Sequence, residues 1–230
     1  MKSSSNNCDL KSCFVCRNSS TGWLPAIESN KKNLFFKKGQ TIFEEDMKVK
    51  GIYFLYSGKA KVHKLWGPEK ELILKFAKPS DIIGYRGLGN EKVYPVTATA
   101  LEPVVVCFFD LPFFEETLKV NNQLTYQLMK FYANELQEAE SRMRDLAHMD
   151  VKGRLAQTLL QLKKRFGLNK EGFINITLKR QDIASYTGTT YETLYRTIIE
   201  LEKDKIIRLT GGKIAILKEA KLEVLNTYKK

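Results

Sequence analysis

Between Leu34 and Asp110 the apolar positions fall into short segments of β type. Leu34 to Phe36, Thr41 to Phe43, Gly51 to Tyr56, Ala60 to Leu65, Leu72 to Phe76, Pro95 to Ala100 and Val104 to Phe109 are each bounded by Gly, Pro, Ser, Asp or Lys, with Gly39, Gly58, Gly67 and Gly84 as punctuation. Evenly spaced segments of this kind predict an antiparallel roll or sandwich. No helical pattern of ~10 residues separates them, so a parallel βαβ sheet is disfavoured. After Phe114 the period becomes helical. Met129, Tyr132, Leu136, Ala139, Met143 and Leu146 are spaced 3, 4, 3, 4, 3, a heptad seam whose narrow apolar stripe calls for a partner helix. A parallel homodimer is the expectation; a helix packed on its own β domain is the other reading. Val151 to Phe166 is a further amphipathic helix with Leu155, Leu159, Leu162 and Phe166 on one face and Gly167 as its stop. Phe173 to Leu178 alternates like a short strand.

The next pattern carries chemistry. Lys179 to Tyr186 predicts a short helix with Ile183 and Ala184 inward, and Thr187-Gly188-Thr189 a turn in which Gly188 supplies positive φ. A second helix is expected from Thr190 to about Asp204, with Leu194, Ile198 and Leu201 buried and Tyr191, Glu192, Tyr195, Arg196 and Ile199 on the other side. Apolar behind and hydrogen-bonding in front near the N-terminal end is the pattern of a recognition helix. Arg196 can bond bidentately to guanine O6 and N7, and Glu192 can accept from cytosine N4. Lys179, Arg180 and Gln181 open the first helix, where side chains and amides meet phosphate. The candidate DNA-binding set is therefore Lys179, Arg180, Gln181, Thr190, Tyr191, Glu192, Tyr195 and Arg196. Two plainer readings stand beside it: Thr189 to Glu192 has the spacing of a capping box, and Glu192 with Arg196 that of a surface i,i+4 pair. Ile206 to Leu209 and Lys213 to Leu217, joined through Thr210-Gly211-Gly212, read as a hairpin wing behind the helix pair.

Charge sharpens this. The net charge is +12, and from Leu146 to Lys230 there are 17 Lys and Arg against nine Asp and Glu. A basic C-terminal part suits a polyanion, because each phosphate neutralised releases condensed counterions. The longest apolar run, Val104 to Phe109, falls far short of the ~20 residues of a membrane span, and Met1 to Leu10 has no signal-peptide core, so a cytoplasmic location is the expectation. The two histidines, His63 and His148, stand far apart with no nucleophile motif nearby, which argues against an enzyme. Of four cysteines, Cys8, Cys13 and Cys16 sit in a polar arm over residues 1–33, expected to be irregular and ending in the apolar stretch Trp23 to Ile27; Cys107 lies in the last β segment. Clustered cysteines in a cytosolic chain point to metal or redox chemistry. Four thiolates would complete the ligand set of a [4Fe–4S] cluster or a tetrahedral zinc; free thiols with Cys107 as a small core residue are the alternative.

Leu178 to Ala184 together with Tyr191-Glu192-Thr193-Leu194-Tyr195-Arg196 resembles the helix-turn-helix of the Crp/Fnr transcription regulators. Lys38 to Phe43 and Ile52 to Gly58 resemble that family's cyclic-nucleotide-binding roll. The resemblance covers about residues 34–220. It implies an α+β chain: an N-terminal antiparallel β-roll, a long dimerisation helix and a C-terminal winged helix-turn-helix. It further implies a homodimer on a near-palindromic site, with double-stranded DNA and RNA polymerase as partners. Tyr191 stands where the family often has Arg, so the half-site is expected to differ. The nucleotide-binding members carry Gly-Glu for the ribose and Arg-Ser for the cyclic phosphate; here Tyr85 replaces the Glu and Tyr94-Pro95 the Arg-Ser. Loss of the cation and hydroxyl argues against a cyclic nucleotide, with Arg86 the one candidate substitute. Cys107 matches the remote cluster ligand of the family's oxygen-sensing branch, whereas the order of gaps among Cys8, Cys13 and Cys16 is the reverse of that branch's.

The domains expected are a cysteine-containing arm over 1–33, a β-roll sensor over 34–120, a dimerisation helix over 121–148, a DNA-binding domain over 149–220 with its helix-turn-helix at about 179–198, and a tail over 221–230. The function expected is a sequence-specific DNA-binding regulator whose N-terminal domain senses oxygen or redox state through a cysteine-ligated cluster. Its competitors are a regulator with a small-molecule effector in the roll and a regulatory protein-interaction subunit.

Overall fold

The structure, a computed structural model, describes residues 13–67 and 70–226. It divides into two compact units, one up to Leu136 and one from Gln137.

The first unit is built on two four-stranded antiparallel sheets. One has the order β1 (Lys32–Phe36), β8 (Val104–Asp110), β3 (Gly51–Ser57), β6 (Ile82–Ile83). The other runs β2 (Thr41–Phe43), β7 (Thr97–Ala100), β4 (Ala60–Trp66), β5 (Lys70–Ala77). The apolar run in β8 has a simple cause: both its faces are covered. Val104, Val106 and Phe108 point into the roll with Tyr53 and Leu55 of β3. Cys107 and Phe109 point the other way, with Ile52 and Phe54, into a second cluster roofed by helices. Period-2 alternation places the two sets on opposite faces.

Those helices include two that the polar composition of the arm conceals. Of the arm expected to be irregular over 1–33, residues 1–12 lie outside the described residues, and in the rest α1 (Phe14–Asn18) and α2 (Leu24–Asn30) form. Helices this short carry too few residues to show a period, and tertiary contacts hold them. Trp23 stacks on Phe113 at 6.4 Å, and its indole N–H donates to Thr117 Oγ1 at 3.2 Å. The Ser20 amide donates to Asn121 Oδ1 at 2.9 Å. α3 (Leu111–Val120) starts earlier than the pattern suggested, because Asp110 caps it by accepting from the Phe113 amide.

α4 (Asn122–His148) contains the heptad seam, and the division between units falls inside it. Leu124 and Leu128 are buried among the roll's outer cluster. Toward its other end, Arg142 donates to the Tyr186 carbonyl at 2.6 Å. One helix thus serves two cores, so the unit boundary is not at either end of it. Along the seam Met129, Leu136 and Met143 are exposed at 59%, 61% and 65%. Tyr132 turns instead to the roll and donates to the Tyr85 carbonyl.

The second unit comprises α5 (Val151–Phe166), α6 (Arg180–Thr187), α7 (Tyr191–Lys203), the hairpin β9 (Ile207–Thr210) and β10 (Lys213–Ile216), and α8 (Glu219–Asn226). Gly211 and Gly212 both have positive φ, as a two-residue turn between twisted strands requires. Two expectations change here. Phe173 to Leu178 buries alternate apolar side chains but forms no strand; it has a bridge between Ile174 and Leu168 and scattered backbone bonds, among them from Ile174 to the Ile214 carbonyl and from Asn175 to the Gly167 carbonyl. Residues 219–226, expected to lie in the wing's end and the tail, form α8, whose Leu222 is fully buried. No helix among the described residues is long and apolar enough to cross a membrane.

Candidate nucleic-acid interface and cysteine cluster

α6 and α7 are joined by a turn whose geometry is local. Gly188 sits at φ 72°, ψ 49°, in the left-handed region. Thr190 begins α7, its hydroxyl oxygen accepting from the Thr193 amide at 3.3 Å. This removes the capping-box reading of Glu192, since the cap lies one residue later and uses Thr193. The surface-pair reading goes too. Glu192 and Arg196 are both exposed, and among the described residues neither side chain forms a hydrogen bond or ion pair. Leu194, Thr197, Ile198 and Leu201 are buried on the opposite face.

Lys179, Gln181, Thr190, Tyr191, Tyr195 and Arg196 are all exposed. Arg180 differs. It is only half-buried, yet one Nη is enclosed without a hydrogen-bond partner. Burial pushes its pKa down, opposed by Glu202 and Tyr191 nearby. Arg180 thus lies partly enclosed beside Tyr191 and Glu202 of α7. Sequence patterning misses the residue that holds the turn. Arg154 of α5 donates from Nε to the Thr187 carbonyl at 3.0 Å, from Nη2 to the Gly188 carbonyl at 3.1 Å and from Nη1 to the Met149 carbonyl at 2.6 Å. In the sequence it is one cation on a polar helix face, with no signal of that role.

In the roll, Tyr94 and Tyr85 are structural. Tyr94 is buried against Phe43 at 4.4 Å, and its hydroxyl donates to the Gly51 carbonyl at 2.8 Å while accepting from the Lys50 and Gly51 amides. Tyr94 is thus part of the aromatic core with Tyr53 and Phe108. Tyr85 donates its hydroxyl to the Glu135 carboxylate of α4, which Lys75 and Arg86 also contact. Arg86, the candidate substitute for the phosphate cation, is committed to that carboxylate. Burial alone would raise the Glu135 pKa; Lys75 first, then Tyr85 and Arg86, bring it below the usual range. His63 is buried as well, between Glu71 at 2.7 Å and Thr99 at 2.9 Å.

Cys8 lies outside the described residues. Cys13, Cys16 and Cys107 are buried in one apolar cluster with Ile27, Phe109, Leu124 and Leu128. A hydrogen bond from the Cys16 thiol lowers the Cys13 pKa to about 7 against the opposing effect of burial. Among the described residues no three His, Cys, Asp or Glu side chains are arranged to hold a metal ion. Thiolate is a ligand type that soft metals select, and the three cysteines belong to one apolar cluster.

A β-roll followed by a long helix and a winged helix-turn-helix with an open recognition face defines a DNA-binding transcription regulator. Residues 33–121 match the family model of the cyclic nucleotide-binding domain, and 153–225 that of the Crp-like helix-turn-helix domain. The chain is 30% identical over 199 residues to the anaerobic regulatory protein of Bacillus subtilis, covering 85% of this chain and 82% of that one. It is 28% identical over 222 residues to the nitrogen fixation regulation protein FixK of Bradyrhizobium diazoefficiens, covering 96% and 92%. The solved structure of FixK2 from Bradyrhizobium japonicum superposes with a TM-score of 0.77 at 24% identity, over 87% of this chain and 99% of that one. The chain belongs to the Crp/Fnr family, which consists of transcription regulators, not enzymes.

Proposed function

We propose that the chain works as a homodimer on a near-palindromic duplex, with one α7 per half-site and RNA polymerase as its further partner. The observation that carries this is the exposed, unpartnered pair Glu192 and Arg196 on the first turns of a helix whose other face is buried. Charged groups held at a surface without partners are available to base edges at no cost in broken contacts. Arg196 reads guanine and Glu192 the N4 amine of cytosine, while Lys179, Gln181 and Thr190 meet phosphate, with Arg180 behind them. The exposed seam residues Met129, Leu136 and Met143 support the dimer. The test is selection of duplexes from a random library by the full-length chain, followed by affinity measurement. Arg196→Ala is expected to weaken the enriched site by about 1–3 kcal/mol and leave thermal unfolding unchanged; an unaltered affinity would overturn the assignment.

The signal we assign to the cysteines. Cys13, Cys16 and Cys107, with Cys8 five residues upstream of Cys13, would hold a [4Fe–4S] cluster or, failing that, zinc. Such a cluster would make the regulator sensitive to oxygen. Leu124 and Leu128 of α4 share the thiols' cluster, so a change there bears directly on the seam helix. Protein purified without oxygen is expected to contain iron and labile sulfide, lost in Cys107→Ser. A metal-free chain that binds its duplex equally well with and without oxygen removes this reading and leaves the first intact.

A further inference from the structure

Tyr191 and Tyr195 stand one turn apart on α7, 45% and 53% exposed, with their rings stacked at 6.4 Å and 15°. Ile199, 40% exposed, continues the line a turn further on. Three large apolar side chains at four-residue spacing form a stripe beside the Glu192–Arg196 stripe, away from the buried face of Leu194, Ile198 and Leu201. Among the described residues neither tyrosine hydroxyl forms a hydrogen bond. A solvated helix face has no use for such a stripe, since open apolar surface is unfavourable in water. The stack matters too: each ring limits the other's rotamers, so the pair meets a ligand already ordered.

We propose that Tyr191 and Tyr195, extended by Ile199, form an apolar reading edge for the C5 methyl of thymine in the major groove. This rests on the DNA-reading assignment of Arg196. The thymine methyl is the one apolar group that B-DNA presents on its major-groove edge, next to the O4 acceptor. The ring faces supply contact for the methyl, and a free hydroxyl can donate to O4 or to phosphate. Adjacency on the helix places this contact on base pairs flanking the one read by Arg196. Arg196 and Glu192 thus select a guanine–cytosine pair by hydrogen bonding, and the tyrosines select neighbouring thymines by methyl burial.

The experiment uses the duplex enriched from a random library by the full-length chain. Each thymine is replaced in turn by deoxyuridine, which removes the methyl and leaves every hydrogen-bonding group. The intact chain is expected to bind roughly fourfold more weakly for each contacted methyl removed, from the transfer value of one buried methyl group. In Tyr191→Ala/Tyr195→Ala that ratio is expected to fall to about one, whereas Tyr195→Phe preserves it; thermal unfolding of both variants checks that they fold. If deoxyuridine is neutral at every thymine, if the ratio survives the double alanine variant, or if the half-site has no thymine beside the guanine, the inference is overturned and Arg196 keeps its role. A chain that enriches no duplex overturns both, and points to the tyrosine stripe as a protein-binding face.

Discussion

Arg154 shows how much can rest on one side chain. Its guanidinium satisfies three backbone carbonyls, two of them in the bend between α6 and α7. Arg154→Ala leaves these acceptors short of a donor, and a loss of about 2–3 kcal/mol is expected in urea unfolding. Duplex affinity should fall with it. Lys at this position restores little, since an ammonium cannot span a forked set of acceptors. A second residue-scale prediction concerns acid. Glu71 has its pKa lowered to about 2; burial opposes this, and the His63 and Lys61 contacts overcome it. Glu135 is lowered for like reasons. A carboxyl whose folded pKa lies below its unfolded value of ~4.3 contributes stability above that value and loses it as pH falls through the folded one. The first unit is therefore expected to lose stability as pH drops from about 4.3 toward 2. Glu71→Gln should flatten that loss in denaturation followed at stepped pH. An unchanged acid slope would show that the His63–Glu71–Lys61 contacts contribute nothing.

At the scale of elements, α7 depends on how it begins. Thr190→Ala removes the hydroxyl that accepts from the Thr193 amide, and about 1 kcal/mol of stability is expected to go with it. Gly188→Ala is strained by its φ of 72° and should cost a similar ~1 kcal/mol; its added Cβ meets only the end of the Leu146 side chain, which can move. That contact also changes the reading of the seam. Leu146 lies beside the bend in its own chain and is still 36% exposed, so it borders both the bend and the open stripe. Leu136 is 61% exposed. Leu136→Glu should therefore leave the fold unchanged and shift sedimentation from dimer to monomer. A dimer that persists would place the interface elsewhere.

For the molecule as a whole, charge is the property that travels furthest. A net charge of +12, concentrated toward the C-terminal part, raises the encounter rate with a polyanion. Neutralising even two phosphates implies that affinity for duplex DNA falls about tenfold between ~50 and ~200 mM salt. Affinity indifferent to salt would be inconsistent with the phosphate contacts assigned to Lys179 and Gln181.

Much of this was legible in the amino-acid order because it depends on short-range patterns. Strand alternation, the Gly188 bend, the buried stripe of α7 and the Gly211-Gly212 hairpin each arise from residues a few positions apart, and a local pattern is visible in one dimension. What depends on distant partners was not. Phe14–Asn18 and Leu24–Asn30, in the described part of the arm, are helical where Trp23 and Ser20 find Thr117 and Asn121, about a hundred positions on. Tyr94 was recognisable as the loss of a phosphate-binding cation, but only packing against Phe43 and the Gly51 backbone shows what it gained. Glu192 could equally have been a cap until the structure placed Thr190 at that end and left the carboxylate open. Backbone propensity and hydrophobic period act along the chain; burial, hydrogen-bond satisfaction and charge pairing act across space, and only the folded chain decides them.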